Sequence, residues 1–181
     1  STNGDVTTYE QCLKKGNKPE AVLFYVDNID KINGIAYAVT LHDNSEACFS
    51  DPDTIYVAQG TSADYNAFDG ESNTTALRYS AIASPIAKRT DPKYFVPSVA
   101  EMYLLYASRN AVNPVIAQCN GTPLPLDDET CWYWTSTEQD IARSDRAWRF
   151  SLYSGRFESE DKHVSLITRP IMIIRLNKEE Q

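Results

Sequence analysis

Runs of β-branched and aromatic residues predict strands at both ends of the chain. EAVLFYVDN and GIAYAVTLHD come early and are separated by a polar stretch that ends in KING. Runs divided in this way are typical of a hairpin, so we expect strands near 21–27 and 34–42. A further apolar run, VSLITRPIMIIRL, predicts a C-terminal strand near 165–175 that Pro170 interrupts. We expect these three strands to share one sheet.

In the middle of the chain, apolar residues recur at helical spacing instead of in continuous runs. NTTALRYSAIASPIAK predicts a helix at about 75–89, which Pro85 bends or ends. VPSVAEMYLLYASRN predicts the clearest helix, at 98–110, because Ser98 and Glu101 form a capping box ahead of an apolar face. We expect both helices to pack outside the sheet.

The order of strands, helices and strands indicates an α+β fold. The 181 residues, 42% of them hydrophobic and 23% charged, suffice for one packed domain spanning 1–181. We expect its core at about 20–176, after a flexible N-terminal tail. No apolar run approaches the roughly 18 residues that a transmembrane helix needs. The polar start, STNGDVTTYE, shows no signal peptide and is compatible with earlier processing or truncation.

The charge distribution argues against two classes of partner. The net charge is −8, and it divides into −8 over residues 1–72, +3 over 73–121 and −3 over 122–181. This pattern contains no basic stripe that could track a phosphate backbone. We therefore expect neither a nucleic-acid partner nor an anionic membrane surface.

The four cysteines argue against zinc and favour disulfides. No two of them form a CxxC pair and only two histidines exist, so a structural zinc site is not expected. Cys119 and Cys131 flank the turn-rich loop NGTPLPLDDET. The polar composition, rich in Tyr, Asn and Thr, is typical of an extracytoplasmic protein. We predict a Cys119–Cys131 disulfide, with Cys12–Cys48 as the second pair and four free thiols as the alternative.

The stretch from 131 to 157 holds all three tryptophans and four arginines. Alternation over 147–153 predicts that Trp148, Phe150 and Leu152 face the core, while a turn at Ser154-Gly155 continues the polar side. Tryptophan, tyrosine and arginine are the residue types that anchor interfaces. We interpret the polar side as a candidate ligand face, and an ordinary solvated sheet face is the alternative. Its residues are Arg149, Ser151, Tyr153, Arg156, Glu158 and Glu160.

Other candidate sites have simpler interpretations. The acidic residues of 44–72 include possible Ca²⁺ ligands, but their spacing misses an EF-hand loop, and turn formation by aspartate is favoured. His42 and His163 are far apart, with no GxSxG or HExxH motif near either. We therefore assign no catalytic residue, metal or cofactor.

Five sequence words in series resemble the Lcl C-terminal domain family, named from a bacterial collagen-like adhesin. They are DGESNT (69–74), YFVPSVAEMYLLY (94–106), YWTSTE (133–138), AWRFSLYSGRF (147–157) and, after Lys162, TRPIMII (168–174). The match covers about residues 20–175. The chain departs from the family pattern at Phe95-Val96, Thr168 and Ile171-Met172. The resemblance implies a C-type-lectin-like fold, an antiparallel sheet with two helices. It places Arg169 in the last strand, where we expect it to bond backbone carbonyls or an acid.

The resemblance further implies surface display and ligand binding without catalysis. We therefore expect a non-catalytic binding or adhesion domain on a bacterial cell surface or secreted, with a glycan or protein ligand. A lipid anchor upstream of the chain is compatible with this location. The alternative is a structural subunit of a surface or fimbrial assembly, which a donated or unpaired terminal strand would favour. An oxidase-like enzyme would instead need Cys119 and Cys131 exposed in a cleft.

Overall fold

The chain folds into a mixed α+β structure, as the order of its sequence patterns predicts. The computed structural model describes residues 1–2, 5–27, 33–140 and 142–177. The helices are α1 (Tyr9–Lys14), α2 (Gly70–Tyr79), α3 (Pro85–Arg89) and α4 (Val99–Gln118). The strands are β1 (Ala21–Asp27), β2 (Asn33–Thr40), β3 (Asn44–Cys48), β4 (Tyr133–Glu138), β5 (Arg146–Phe150), β6 (Phe157–Asp161), β7 (Ser165–Thr168) and β8 (Ile171–Asn177).

The two early strands and the C-terminal strand share an antiparallel sheet in the order β1-β2-β8. β2 pairs with β8 from Asn33↔Asn177 to Val39↔Ile171 without a register shift. This pairing confirms the prediction that the predicted early hairpin joins the end of the chain. The inward side chains of β1 and β2, such as Phe24 and Val39, are buried in the larger of two hydrophobic clusters.

The chain also forms a second sheet, so the antiparallel sheet with two helices that the resemblance implies is found only in part. The order of the second sheet is β3-β7-β4-β5-β6, and β4 runs parallel to β7. The predicted strand near 165–175 is two strands that belong to different sheets, because Arg169 and Pro170 separate β7 from β8. Arg169 is fully buried, and it donates to Asp43 Oδ1 at 3.0 Å and to the carbonyls of residues 40, 41 and 122. Its expected bonding to carbonyls and an acid is confirmed.

The helices also differ from the sequence pattern in their bounds. The predicted helix at 75–89 is two helices, with Pro85 at the start of α3, where a missing N–H costs nothing. The capping box of α4 is confirmed, since Ser98 Oγ accepts from Glu101 N at 3.3 Å and Glu101 Oε2 accepts from Ser98 N at 2.7 Å. α4 extends to Gln118, beyond the predicted end at 110. α1 lies where the sequence predicts only a tail.

Both faces of the five-stranded sheet are packed. Tyr133 and Phe150 join the larger cluster beneath α4, while Trp134 and Ala147 join a smaller cluster with side chains of α2 and α3. β6 is left at the edge of the sheet. In the described part of the chain, no helix has the length and apolar character that crossing a bilayer requires.

All four cysteines are free thiols in the structure, so neither predicted disulfide is present. The loop from Cys119 to Cys131 does not bring its ends together as a bonded pair. Cys48 lies in β3, where its thiol contacts the carbonyl oxygen of His163 at 3.0 Å. Cys12 and Cys119 instead line one cavity. The sequence places turn residues between two cysteines, but it does not tell which thiols the fold brings close.

Candidate functional site

The β5–β6 hairpin has two faces of different chemistry. Its register pairs Trp148 with Ser159, Arg149 with Glu158 and Phe150 with Phe157. Successive side chains of a strand point to opposite sides, so Trp148 and Phe157 lie on one side while Arg149 and Glu158 lie on the other. We call one side the ionic face, formed by Arg149, Arg156, Glu158, Glu160 and Trp132. We call the other the aromatic face, formed by Tyr65, Tyr103, Trp148 and Phe157.

The ionic face is neutralised by its own partners. Arg149 reaches Glu158 Oε2 at 3.1 Å and Glu160 Oε2 at 2.6 Å. Its guanidinium lies 4.3 Å from the centre of the Trp132 ring, within the range of a cation–π contact. Arg156 reaches Glu158 Oε1 at 2.7 Å. Two arginines and two glutamates therefore balance, and the side chain of Arg149 is only 22% exposed.

The aromatic face is a cluster of rings centred on Phe157. The ring centroid of Phe157 lies 5.1 Å from Trp148, 5.5 Å from Tyr65 and 6.1 Å from Tyr103. These separations are those that aromatic pairs prefer, and the Trp148 and Tyr103 rings meet Phe157 edge-on while Tyr65 is tilted. Tyr65 is 46% exposed and Tyr103 is 42% exposed, while Trp148 and Phe157 are half-buried. The cluster therefore presents aromatic surface to solvent.

Three separate segments build the aromatic face. Trp148 and Phe157 come from the hairpin, Tyr103 from the second turn of α4, and Tyr65 from the loop before α2. Tyr103 also packs edge-on against the buried ring of Phe150 at 5.0 Å, which fastens the helix to the sheet below. Sequence reasoning missed Tyr65 and Tyr103, because neither lies on a periodic apolar pattern of the same element as the tryptophans.

The turn between β5 and β6 corrects the predicted ligand face. β5 ends at Phe150, and Ser151 N donates to Arg156 O at 2.8 Å, so the alternation stops there. Ser151 is consequently buried rather than displayed, while Tyr153 is 37% exposed in the turn. Gly155 has a φ of 74°, and a Cβ there would lie 2.9 Å from the Tyr106 ring, so the turn requires glycine.

The predicted core face of the same stretch is confirmed in part. Phe150 and Leu152 are fully buried, as predicted. Trp148 is only half-buried, and it packs at the margin of the larger cluster with its ring against Phe157 of the edge strand β6. The tryptophan that fills the core is Trp134, which is 0% exposed.

Glu101, in the first turn of α4, is an unusual buried carboxyl. Burial raises its pKa to about 7, although hydrogen bonds from Ser98 act in the opposite direction. A Cβ on Gly70 would lie 2.2 Å from Glu101 Oε2, so only glycine fits at the start of α2. The carboxyl thus joins the N-termini of two helices, where a negative charge is favoured. Two residues later, α4 presents Tyr103.

A second buried acid holds a loop in place. Glu138 is ion-paired with the fully buried Lys162 and accepts from Gln59 N at 2.9 Å and from Thr61 Oγ1 at 2.9 Å. Lys162 also donates to Val57 O at 2.9 Å. Because these partners are backbone and side-chain groups of the chain itself, we interpret the pair as structural.

The remaining candidates from the sequence have structural partners. Asp51 and Asp64 accept from backbone N–H groups two residues later at 3.1 Å and 2.9 Å, which confirms their role in turns. The His163 ring stacks on Tyr56 at 4.2 Å, and His42 bonds Thr122 Oγ1 at 3.0 Å. Across the described ranges, no group of three or more His, Cys, Asp or Glu residues could hold a metal ion.

The two faces of the hairpin are therefore the surface features on which a function can be argued. No protein-family model and no curated protein matches the chain.

Proposed function

We propose that the chain is a non-catalytic binding domain with a C-type-lectin-like fold, displayed outside a bacterial cell, and that its ligand contacts the aromatic face. The ligand is a glycan or a protein. The observation that carries the proposal is the half-exposed cluster of Tyr65, Tyr103, Trp148 and Phe157. Surface display and the fold name rest on the resemblance to the adhesin family.

The chemistry of the aromatic face supports binding. Tyrosine and tryptophan supply large rigid contact areas with a polar edge, and they dominate the energetics of interfaces. A flat ring can stack on the apolar face of a sugar or receive an apolar side chain of a protein. Contiguous exposed apolar surface of this kind marks binding sites on soluble proteins.

The ionic face is the weaker candidate of the two. Its guanidinium groups already contact carboxylates, so an acidic ligand would have to displace Glu158 and Glu160 before binding there. Breaking the existing ion pairs would cost about as much free energy as the new ion pairs would return. Tyr153 and Arg156, from the predicted ligand face, lie on the turn after β5 and remain candidates for contact with a ligand.

A structural subunit of an assembly receives less support. The C-terminal strand β8 pairs with β2 over seven residues of the same chain, so it is not a donated strand. The edge strand β6 carries Glu158, Glu160 and Asp161, and charges on an edge strand oppose pairing with another chain.

Binding arrays with matched variants test the proposal. The purified chain is probed on a glycan array and on a panel of host extracellular proteins, alongside the double variant Tyr65→Ala/Tyr103→Ala. We expect the double variant to lose at least about tenfold in affinity for whichever ligand is found, because two anchor rings are removed. The control is Tyr79→Ala, an aromatic residue that is 85% exposed on α2. Equal loss in the control, or full binding by the double variant, would refute the site.

A further inference from the structure

A cavity of about 530 Å³ separates the N-terminal segment from the body of the fold. Its floor includes Leu23 of β1 and Met172 of β8. Residues 5–10 and Cys12 of α1 line it from the N-terminal side, and Cys119 lines it from the end of α4. Two thiols from distant parts of the sequence therefore border the same cavity.

The N-terminal segment makes several contacts within itself. Lys15 pairs with Asp5 at 3.1 Å, and Thr2 N donates to Lys18 O at 3.0 Å. The buried residue of α1 is Cys12, which is 3% exposed, and Cys119 is 9% exposed. The buried residue of α1 and the buried thiol at the end of α4 therefore line the same cavity.

We propose that Cys12 and Cys119 form a disulfide under oxidising conditions, and that this bond fastens α1 to the end of α4. Both side chains line the same cavity, which brings the end of α4 and the buried side of α1 to one place. Burial raises the pKa of the Cys119 thiol, and charge on Cys12 raises it further. This pairing differs from both pairs that the sequence predicts. It does not depend on the proposed ligand.

The other two cysteines have different surroundings. The Cys48 sulfur, in β3 of the five-stranded sheet, lies 3.0 Å from His163 O and 3.3 Å from Ser165 Oγ. The Cys131 thiol interacts with the Tyr133 side chain, while burial raises its pKa. Neither lines the cavity that Cys12 and Cys119 share.

The reaction requires a disulfide oxidant, for which oxidised glutathione serves as the reagent. One protein thiol loses its proton and attacks the glutathione disulfide, which forms a mixed disulfide and releases one reduced glutathione. The second protein thiol then loses its proton and attacks the protein sulfur of the mixed disulfide. The products are the Cys12–Cys119 bond and a second reduced glutathione. The protein loses two electrons and two protons, and the oxidant gains both.

Mass spectrometry and thermal unfolding test the proposal on the whole chain. After equilibration with oxidised glutathione, we expect the intact protein to lose the mass of two hydrogen atoms. Peptide mapping should then show Cys12 linked to Cys119. The oxidised form should melt about 10 °C higher than the reduced form, because the bond closes a loop of roughly a hundred residues. Adding a thiol reductant should reverse both changes.

Matched variants separate this pair from the others. Cys48→Ser/Cys131→Ser should still form the bond and show the same rise in melting temperature, while Cys12→Ser should show neither. A map that links any other two cysteines in the parent overturns the proposal. So does full alkylation of Cys12 and Cys119 after equilibration with the oxidant. These two readouts use the parent chain, so they hold even if a variant folds poorly.

Discussion

The two faces of the β5–β6 hairpin differ in how fully their side chains are paired or covered by other groups of the chain. On the ionic face, every charge of Arg149, Arg156, Glu158 and Glu160 meets an opposite charge within 3.1 Å. On the aromatic face, rings contact one another but keep up to 46% of their surface in solvent. Charged residues that look like a binding patch in sequence can therefore be internally paired. Aromatic residues assigned to a core can form the surface that is left for a ligand.

The largest effect should come from the ring beneath the aromatic face. Phe150→Ala should lower the free energy of unfolding by roughly 3–5 kcal/mol, because it empties a fully buried site that Tyr103 and Tyr106 cover. Urea denaturation measures the change. Tyr79→Ala is the control and should change stability by no more than about 0.5 kcal/mol. A small loss for Phe150→Ala would mean that the aromatic face does not rest on a packed core.

A pH effect should act on the helix that carries Tyr103. The pKa of Glu101 is about 7 in the folded chain, above its ordinary value of 4.5, so the folded state holds the proton more tightly than the unfolded state. The stability that this provides is complete below pH 4.5 and is lost as pH rises through about 7. Its size is at most about 3 kcal/mol.

The variant Glu101→Gln isolates this effect from other titrating groups. It keeps an acceptor for Ser98 N and cannot ionise, so its stability relative to the parent should increase between pH 5 and pH 8. Urea denaturation of both proteins at the two pH values measures the difference. Parallel pH profiles would show that Glu101 does not titrate in this range. Tyr103 fluorescence or ring NMR signals would report whether the aromatic face loosens at high pH.

The smallest effect should come from the ionic face. Arg149→Met should cost no more than about 1 kcal/mol, because its partners remain partly exposed and Arg156 still pairs with Glu158. A double-mutant cycle with Glu160→Gln should give a coupling of about 0.2–1 kcal/mol that shrinks with added salt. A loss above about 2 kcal/mol would show that the ionic face is a structural element rather than a solvated network.

The sequence predicts those features that depend on neighbours along the chain. The capping box at Ser98 and Glu101, the early hairpin and the burial of Phe150 follow from local spacing, and the structure confirms them. Alternation fails after Phe150, because a tight turn from Ser151 to Arg156, with Gly155 at a positive φ, replaces the strand. The periodicity of VSLITRPIMIIRL cannot show that Arg169 and Pro170 divide it between two sheets.

The candidate site is less predictable because it is assembled from distant segments. Tyr65 and Tyr103 meet Phe157 through tertiary packing, for which the sequence carries no local signal. The pairing of Arg149 with Glu158 depends on the register of β5 against β6, which the turn sets. The proximity of Cys12 and Cys119 has no local signal either. They line one cavity, although the sequence predicts only a tail before residue 20.

Affinity measurements on the two faces test the central claim most directly. Tyr65→Ala/Tyr103→Ala and Arg149→Met/Arg156→Met are compared with the parent on the ligand that the arrays identify, at low and high salt. We expect the aromatic-face variant to raise Kd at least about tenfold and the ionic-face variant to change it less than about threefold, with little dependence on salt. A tenfold loss in the ionic-face variant, with normal binding by the aromatic-face variant, would contradict the account and restore the arginine face as the site.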